Sequence, residues 1–205
     1  MTPRTKEQNE AIRRQRIFQI QNTAAEIFLE KGVNLEMGDI ARRAGLGRGT
    51  VYHYYDNKMS LLGELMHQAY EEARVITEQT IRVNQCPLLR LEYFAAAQLK
   101  QWIERPYLFI LFKYIFQPEP ILFENYEKLR SDFYIHIYYP VLDTIRRGVH
   151  TKKIVSIEPE TISQFYFGTL IGAVSGYFGK KATNEFIDSE WRDGVIKLLV
   201  RGMER

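Results

Sequence analysis

Leu35–Lys58 reads LEMGDIARRAGLGRGTVYHYYDNK, the shape of two short helices around a tight turn. Ile40, Ala41 and Ala44 fall at i, i+1 and i+4, so they share one face of a first helix. Ala41 is small enough to let a second helix cross closely. Gly45 suits a left-handed residue that ends the first helix, where a Cβ would cost energy. Leu46 can tuck under the turn, and Gly47-Arg48-Gly49-Thr50 opens the second helix. Val51 and Tyr55, four apart, face inward, which leaves Arg48, Thr50, Tyr52, His53 and Tyr54 pointing at a partner. The arrangement predicts a helix-turn-helix, a unit that lays its second helix in the DNA major groove.

The upstream flank completes a three-helix unit. Ile17, Ile20, Ala24, Ile27 and Phe28 recur at three and four residues, the period of an amphipathic helix. Lys31-Gly32 is a helix stop, with a cation at the negative end of the dipole and glycine beyond it. Asn34 to Glu36 can start the next helix. Ahead of the apolar pattern stands a polar segment with Arg4, Lys6, Arg13, Arg14 and Arg16. Met1 to Glu10 reads equally well as a solvated tail, whereas Arg13, Arg14 and Arg16 are placed to face phosphates.

These motifs carry a resemblance. IFQIQNTAAEIFLEKGVN and MGDIARRAGLGRGTVYHYYDNKMSLL, spanning Ile17 to Leu62, resemble the tetracycline-repressor (TetR) family of bacterial transcription regulators. The most specific part is Gly-x-x-Thr-Val-Tyr-x-Tyr-Tyr-x-x-Lys, from Gly47 to Lys58. Glu36-Met37-Gly38 departs from the family's usual Ser or Thr cap followed by a polar or basic residue, and Gly38 presents no side chain. The resemblance implies that Arg48 and Thr50 read base edges from the start of the recognition helix. Arg48 would bind guanine in bidentate fashion. It also implies phosphate or sugar contacts from Tyr52 and Tyr54, a base contact from His53, and a phosphate contact from Lys58.

Charge is distributed in keeping with this. Residues through Lys58 hold 10 Lys+Arg against 7 Asp+Glu, and the rest of the chain holds 18 of each, so the whole net charge of +3 sits on the N-terminal part. The excess is modest, so DNA affinity should need two copies and fall steeply with salt. One cysteine, Cys86, excludes an internal disulfide framework and fits a reducing cytoplasm, the expected location. Next to Pro87, Cys86 reads as packing at a helix junction, with a redox role as the alternative.

No apolar signal region opens the chain. Thr161 to Gly179 is 19 residues without formal charge, near the ~20 that span a bilayer. Its hydroxyl and amide side chains and four glycines favour an interface over a membrane span. Gly168, Gly172 and Gly176 repeat every four residues and line one helix face. Glycine costs a helix about 1 kcal/mol against alanine, so close backbone approach is expected there. The partner is another helix of the same chain or, as the resemblance implies, a second copy, the last two long helices pairing as a four-helix bundle. The final helix, Glu190 to Met203, would add Trp191, Val195, Leu198 and Leu199.

The middle reads as helices with clear breaks. Lys58 to Thr80 is one helix, with Leu61, Leu65, Ala69 and Ala73 on a face. Pro87 opens another to about Ile103, and Pro106 starts Tyr107 to Phe116, broken by Pro118 and Pro120. Ile121 to Arg147 is long, bent where Pro140 removes the bond to the His136 carbonyl, and stopped at Gly148. Twelve aromatics lie between Trp102 and Tyr139, Phe123 among them. Most read as core. The resemblance implies an inducer held in this helical part, and apolar aromatic walls suit a flat or long apolar effector. The candidate wall is Trp102, Phe109, Phe112, Tyr126, Phe133, His136 and Tyr166.

Catalytic motifs are missing from the sequence. Gly172-Ala-Val-Ser-Gly176 places its serine one position too late for a nucleophile elbow. His53, His67, His136 and His150 lack metal-ligand spacing, and no phosphate-binding glycine loop occurs. No enzyme activity, cofactor or metal is expected. The reading is an all-α chain: residues 1–56 form a three-helix helix-turn-helix head, and residues 57–205 form a helical effector-binding and dimerisation domain. As a homodimeric regulator it would bind an inverted-repeat operator on double-stranded DNA and release it when an apolar or aromatic small molecule binds. The alternative is a helical ligand or partner module with a degenerate head.

Overall fold

The computed structural model describes residues 5–117, 124–182 and 190–205. Arg4, Pro118, Pro120, Ile121 and Phe123, singled out above, lie outside the described residues. The α-helices among the described residues are α1 Lys6–Lys31, α2 Met37–Arg43, α3 Arg48–Tyr54, α4 Lys58–Thr80, α5 Pro87–Glu104, α6 Tyr107–Ile115, α7 Tyr126–Phe133, α8 Tyr139–His150, α9 Pro159–Ala182 and α10 Trp191–Met203, and no strand occurs among those residues. Among them no helix is long and apolar enough to cross a membrane.

The chain divides into two compact units, Met1–Ala69 with Arg105–Tyr126, and Tyr70–Glu104 with Glu127–Arg205. In the first, α1 packs on α2 and α6, and α2 packs on α3. Ile20, Ile27, Phe28, Leu35, Ile40, Val51, Leu61 and Leu65 are fully buried there, and the rings of Phe28 and Tyr114 meet at 4.8 Å. Helix α6 therefore belongs to the compact unit of the N-terminal helices. In the second unit α5 packs against α8, α9 and α10, and α9 packs against α8 and α10.

Helix α1 begins well before its apolar pattern. Thr5 is its N-cap: the hydroxyl accepts from the Gln8 backbone N–H at 3.2 Å, and the Gln8 side chain accepts from the Thr5 N–H at 3.0 Å. Lys6, Arg13, Arg14 and Arg16 thus stand on the helix and do not form a segment ahead of it. Lysine, glutamate, glutamine and arginine hold helical geometry at little entropic cost, so these turns need no buried face. At the other end Gly32 takes φ +60°, as the Lys31-Gly32 stop requires.

The stretch around Pro140 differs from a simple bend. Between α7 and α8 the residues Tyr134–Tyr138 form a π-helical turn, and the Tyr139 N–H reaches back to the Tyr134 carbonyl. The wider turn relieves the clash of the proline ring with the preceding turn. Gly148 is not the stop either, since α8 runs to His150. A Cβ at 148 would lie 2.4 Å from Ile154 Cδ1 and 2.7 Å from its Cγ1, so this glycine admits a side chain six positions later. The Gly148 carbonyl accepts from the Lys153 and Ile154 N–H groups at 2.9 and 3.1 Å. Cys86, expected as packing, is exposed.

Candidate nucleic-acid interface

Helices α2 and α3 and the turn between them carry the expected helix-turn-helix. Gly45 takes φ +63° and closes α2, with its N–H on the Arg42 carbonyl. The Leu46 N–H returns to the Ala41 carbonyl at 2.8 Å. Gln19 of α1 donates to the Ala44 carbonyl at 2.6 Å, which ties the turn to the first helix. Ile40, Ala41 and Val51 are buried, and α2 packs on both α3 and α1.

Tyr55 fixes the end of α3. Its ring is buried, and its hydroxyl accepts from Gln21 Nε2 at 3.1 Å, an amide that also reaches Glu64 at 3.3 Å. Burial, reinforced by the Glu64 carboxylate, pushes the phenol far above its ordinary value and keeps it neutral. With Val51 and Tyr55 turned inward, Arg48, Tyr52 and His53 are exposed, and Thr50 and Tyr54 are half-buried. His53 and Tyr54 pack edge to face at 5.2 Å. Helix α3 thus presents two polar and aromatic turns to solvent.

Two ion-paired clamps hold α2 to α1. Arg43 donates to both Glu30 oxygens at 2.7 and 2.8 Å. Lys31 and Arg42 both meet Asp39, at 2.8 and 2.9 Å. The Arg43 hydrogen bonds hold the Glu30 carboxyl below its ordinary value, and that from Lys31 does the same for Asp39. Lys31, Asp39, Arg42 and Arg43 frame a surface cleft of about 320 Å³. Arg42 and Arg43, both ion-paired, were not among the residues picked from the sequence.

Lys58 is more engaged than a lone phosphate contact implies. Its ammonium donates to the Leu35 carbonyl at 3.3 Å and lies 3.7 Å from Glu36. Asn57 caps α4, its Oδ1 accepting from the Met59 and Ser60 N–H groups at 2.9 Å each. Glu36 stands at the N-cap of α2 and makes no side-chain cap hydrogen bond, in keeping with the departure seen in the sequence.

The seven candidate wall residues fall in both units. Phe109, Phe112 and Tyr126 belong to the first, and Trp102, Phe133, His136 and Tyr166 to the second. All but half-buried His136 are buried. Tyr166 donates to the Leu91 carbonyl at 2.6 Å, and its complete burial raises the phenol well above its ordinary value. His136 Nδ1 lies 2.9 Å from the Tyr70 hydroxyl and 3.0 Å from the Asp132 carbonyl, so its tautomer decides whether it accepts from the first or donates to the second. Two groups that the sequence reading missed are Gln98 Nε2 on α5 and Ser163 Oγ on α9, both buried without a hydrogen-bond partner among the described residues. Gln98 is one turn from Trp102 and Ser163 one turn from Tyr166. No sequence pattern marks them, because an isolated amide or hydroxyl on a helix gives no sign of what surrounds it.

On α9, Gly168, Gly172 and Gly176 are exposed, with no described heavy atom within 4 Å of an added Cβ. Phe165, also missed, lies on the same face and is 47 % exposed. On α10, Leu198 is 74 % exposed and Trp191 and Val195 are half-buried. Leu199 is fully buried within its own chain, one position round the helix from Leu198.

Comparison with known proteins follows the same division. Residues 20–65 match the model of the bacterial regulatory proteins of the tetR family. None of the curated proteins matches the chain. Among solved structures, the ketosteroid transcriptional regulator KstR2 of Mycobacterium tuberculosis is similar at a TM-score of 0.71 and 15 % identity, over 93 % of this chain and 95 % of that one. The TetR family regulator PfmR of Thermus thermophilus gives 0.65 and 20 %, over 99 % and 100 %. FadR of Bacillus subtilis, in complex with stearoyl-CoA, gives 0.60 and 19 %, over 90 % and 97 %. At these identities the structures speak for the fold, while the family match speaks for residues 20–65, which hold the helix-turn-helix. Residues 20–65 of this chain carry the N-terminal domain described by the tetR family of bacterial regulatory proteins, and the chain as a whole shares the fold of solved TetR family regulators.

Proposed function

We propose that this chain is a TetR family regulator, a homodimeric repressor that binds an inverted-repeat operator through α3 and releases it when an apolar effector enters the helical body. One observation carries the DNA reading: Val51 and Tyr55 are buried while Arg48, Tyr52 and His53 stand exposed on one short helix after a glycine turn. Residues 1–56 act as the head and residues 57–205 as the effector-binding and dimerisation part. Arg48 and Thr50 read bases, Tyr52, His53 and Tyr54 flank them, and Lys58 lies at the phosphate edge. Two heads set ~34–36 Å apart meet successive major grooves. The place of action is the cytoplasm.

The dimer reading is supported by the open face of α9 and α10, formed by Gly168, Gly172, Gly176, Phe165 and Leu198. Apolar side chains held out in water beside bare helix backbone are what a close helix–helix contact between copies would cover. The effector reading is supported by Gln98 and Ser163, whose buried atoms an oxygen-bearing apolar molecule would satisfy. A ketosteroid regulator and a stearoyl-CoA complex associate this fold with large apolar molecules. Effector binding lowers DNA affinity only as far as the effector prefers the DNA-incompetent state.

The test is selection from random duplexes at two salt concentrations. An inverted repeat with a steep salt dependence is the expected result, and Arg48→Ala should erase the preference at one base pair of each half-site, costing ~1–3 kcal/mol. Binding without sequence preference would refute the reading. Stearoyl-CoA and progesterone serve as effector probes, with Gln98→Leu and Ser163→Ala expected to weaken release of the operator.

A further inference from the structure

We propose that Gly38 is a positioning residue for Arg48 and so a determinant of base specificity, although it carries no side chain of its own. The inference rests on the reading of Arg48 as a base contact. Gly38 is the second residue of α2, and its φ is not in the left-handed region, which only Gly32 and Gly45 occupy among the described glycines. Glycine in a helix costs stability against alanine, so its reason here is space, not torsion. The space is taken. An added Cβ would meet the Arg48 guanidinium first, at 3.1 Å from Nη2 and 3.4 Å from both Cζ and Nε. All three of its nearest heavy atoms belong to that one group.

Helix α2 therefore offers bare backbone where the first residue of α3 lays its cationic end. The consequence is geometric. Arginine reads guanine through two parallel N–H bonds, which demand a fixed guanidinium orientation. An exposed arginine visits many rotamers and loses that freedom on binding. Resting against α2 restricts Arg48 before DNA arrives. A methyl at 38 would move the guanidinium by a few tenths of an ångström, and a larger side chain would evict it.

The experiment is duplex selection with wild type, Gly38→Ala, Gly38→Leu, Arg48→Ala and the Gly38→Leu/Arg48→Ala double variant, with thermal unfolding alongside. The pair read by Arg48 is the one whose preference Arg48→Ala erases. At that pair Gly38→Leu should lower discrimination at least about fivefold, and Gly38→Ala should lower it less. In the Arg48→Ala background, Gly38→Leu should change nothing further there. The Gly38→Ala protein should unfold at the wild-type temperature or above. An unchanged preference at that pair in both single variants overturns the inference while the role of Arg48 stands. So does a loss that persists in the Arg48→Ala background, because the side chain at 38 would then act by its own contact. If Arg48→Ala itself leaves every pair unchanged, the base-reading role and the inference fall together.

Discussion

At Gly45 the backbone stands at φ +63°, and none of the described residues beyond its chain neighbours lies within 4 Å of an added Cβ. Alanine there meets open space and a strained torsion, so Gly45→Ala should cost roughly 1–2 kcal/mol with no second-site remedy. At Gly148 the torsion is helical and Ile154 fills the space. Gly148→Ala should cost about 1–3 kcal/mol by overpacking. Adding Ile154→Ala should make the pair of changes cost less than their sum, because Ile154 is the atom source of the clash. Urea midpoints of wild type, Gly45→Ala, Gly148→Ala, Ile154→Ala and the Gly148→Ala/Ile154→Ala double variant check both statements, and strict additivity at 148 and 154 would refute the second. The contrast also marks what could be read in advance. Gly45 sits inside a spaced motif whose turn demands it. Gly148 looked like a stop, because nothing in the chain announces that Ile154 folds back over it. Gly38 looked like a lost contact for the same reason: its neighbour is ten positions away.

Helices were legible where apolar spacing or proline marked them. α4 runs from Lys58 to Thr80 and α5 starts at Pro87, as the pattern requires. The start of α1 was not legible, because charged helix formers leave no apolar trace and Thr5-x-x-Gln8 is a short signal. Around Pro140 a bend could be expected, but a five-residue π turn depends on how the surrounding rings pack. Pairing of α1 with α2 is where a pH effect belongs. Glu30 and Asp39 both have lowered pKa values, so their contribution is present above the ordinary carboxylate range and is lost as pH falls through the lowered values. Glu30→Gln with Asp39→Asn should lower the unfolding temperature near neutrality. The gap to wild type should close as pH falls from the ordinary carboxylate range through the lowered values of these two groups. A gap that stays constant over that window would show that the clamps contribute nothing through charge.

For the whole molecule, the positive excess lies on the residues through Lys58 and the body is neutral, so operator affinity should fall steeply with salt. The glycine face of α9 sets the second expectation. Gly172 has open surroundings among the described residues, so Gly172→Leu should leave the protomer folded yet weaken the proposed dimer. Sedimentation velocity reads this directly, and an unaltered dimer would remove that face from the interface. Leu199 belongs to the protomer core, and Leu199→Ala should cost about 2–5 kcal/mol of folding stability. Stability is also uneven along α1. Its buried residues begin at Ile20, so the turns from Lys6 to Arg16 are held by their own hydrogen bonds and the Thr5 cap. Backbone amides there should trade protons for deuterons by fraying, ahead of those from Ile20 to Phe28, which wait for the unit to open. One continuous helix would then show two exchange regimes. Bound operator should slow the early one, if Arg13 and Arg14 rest on phosphates.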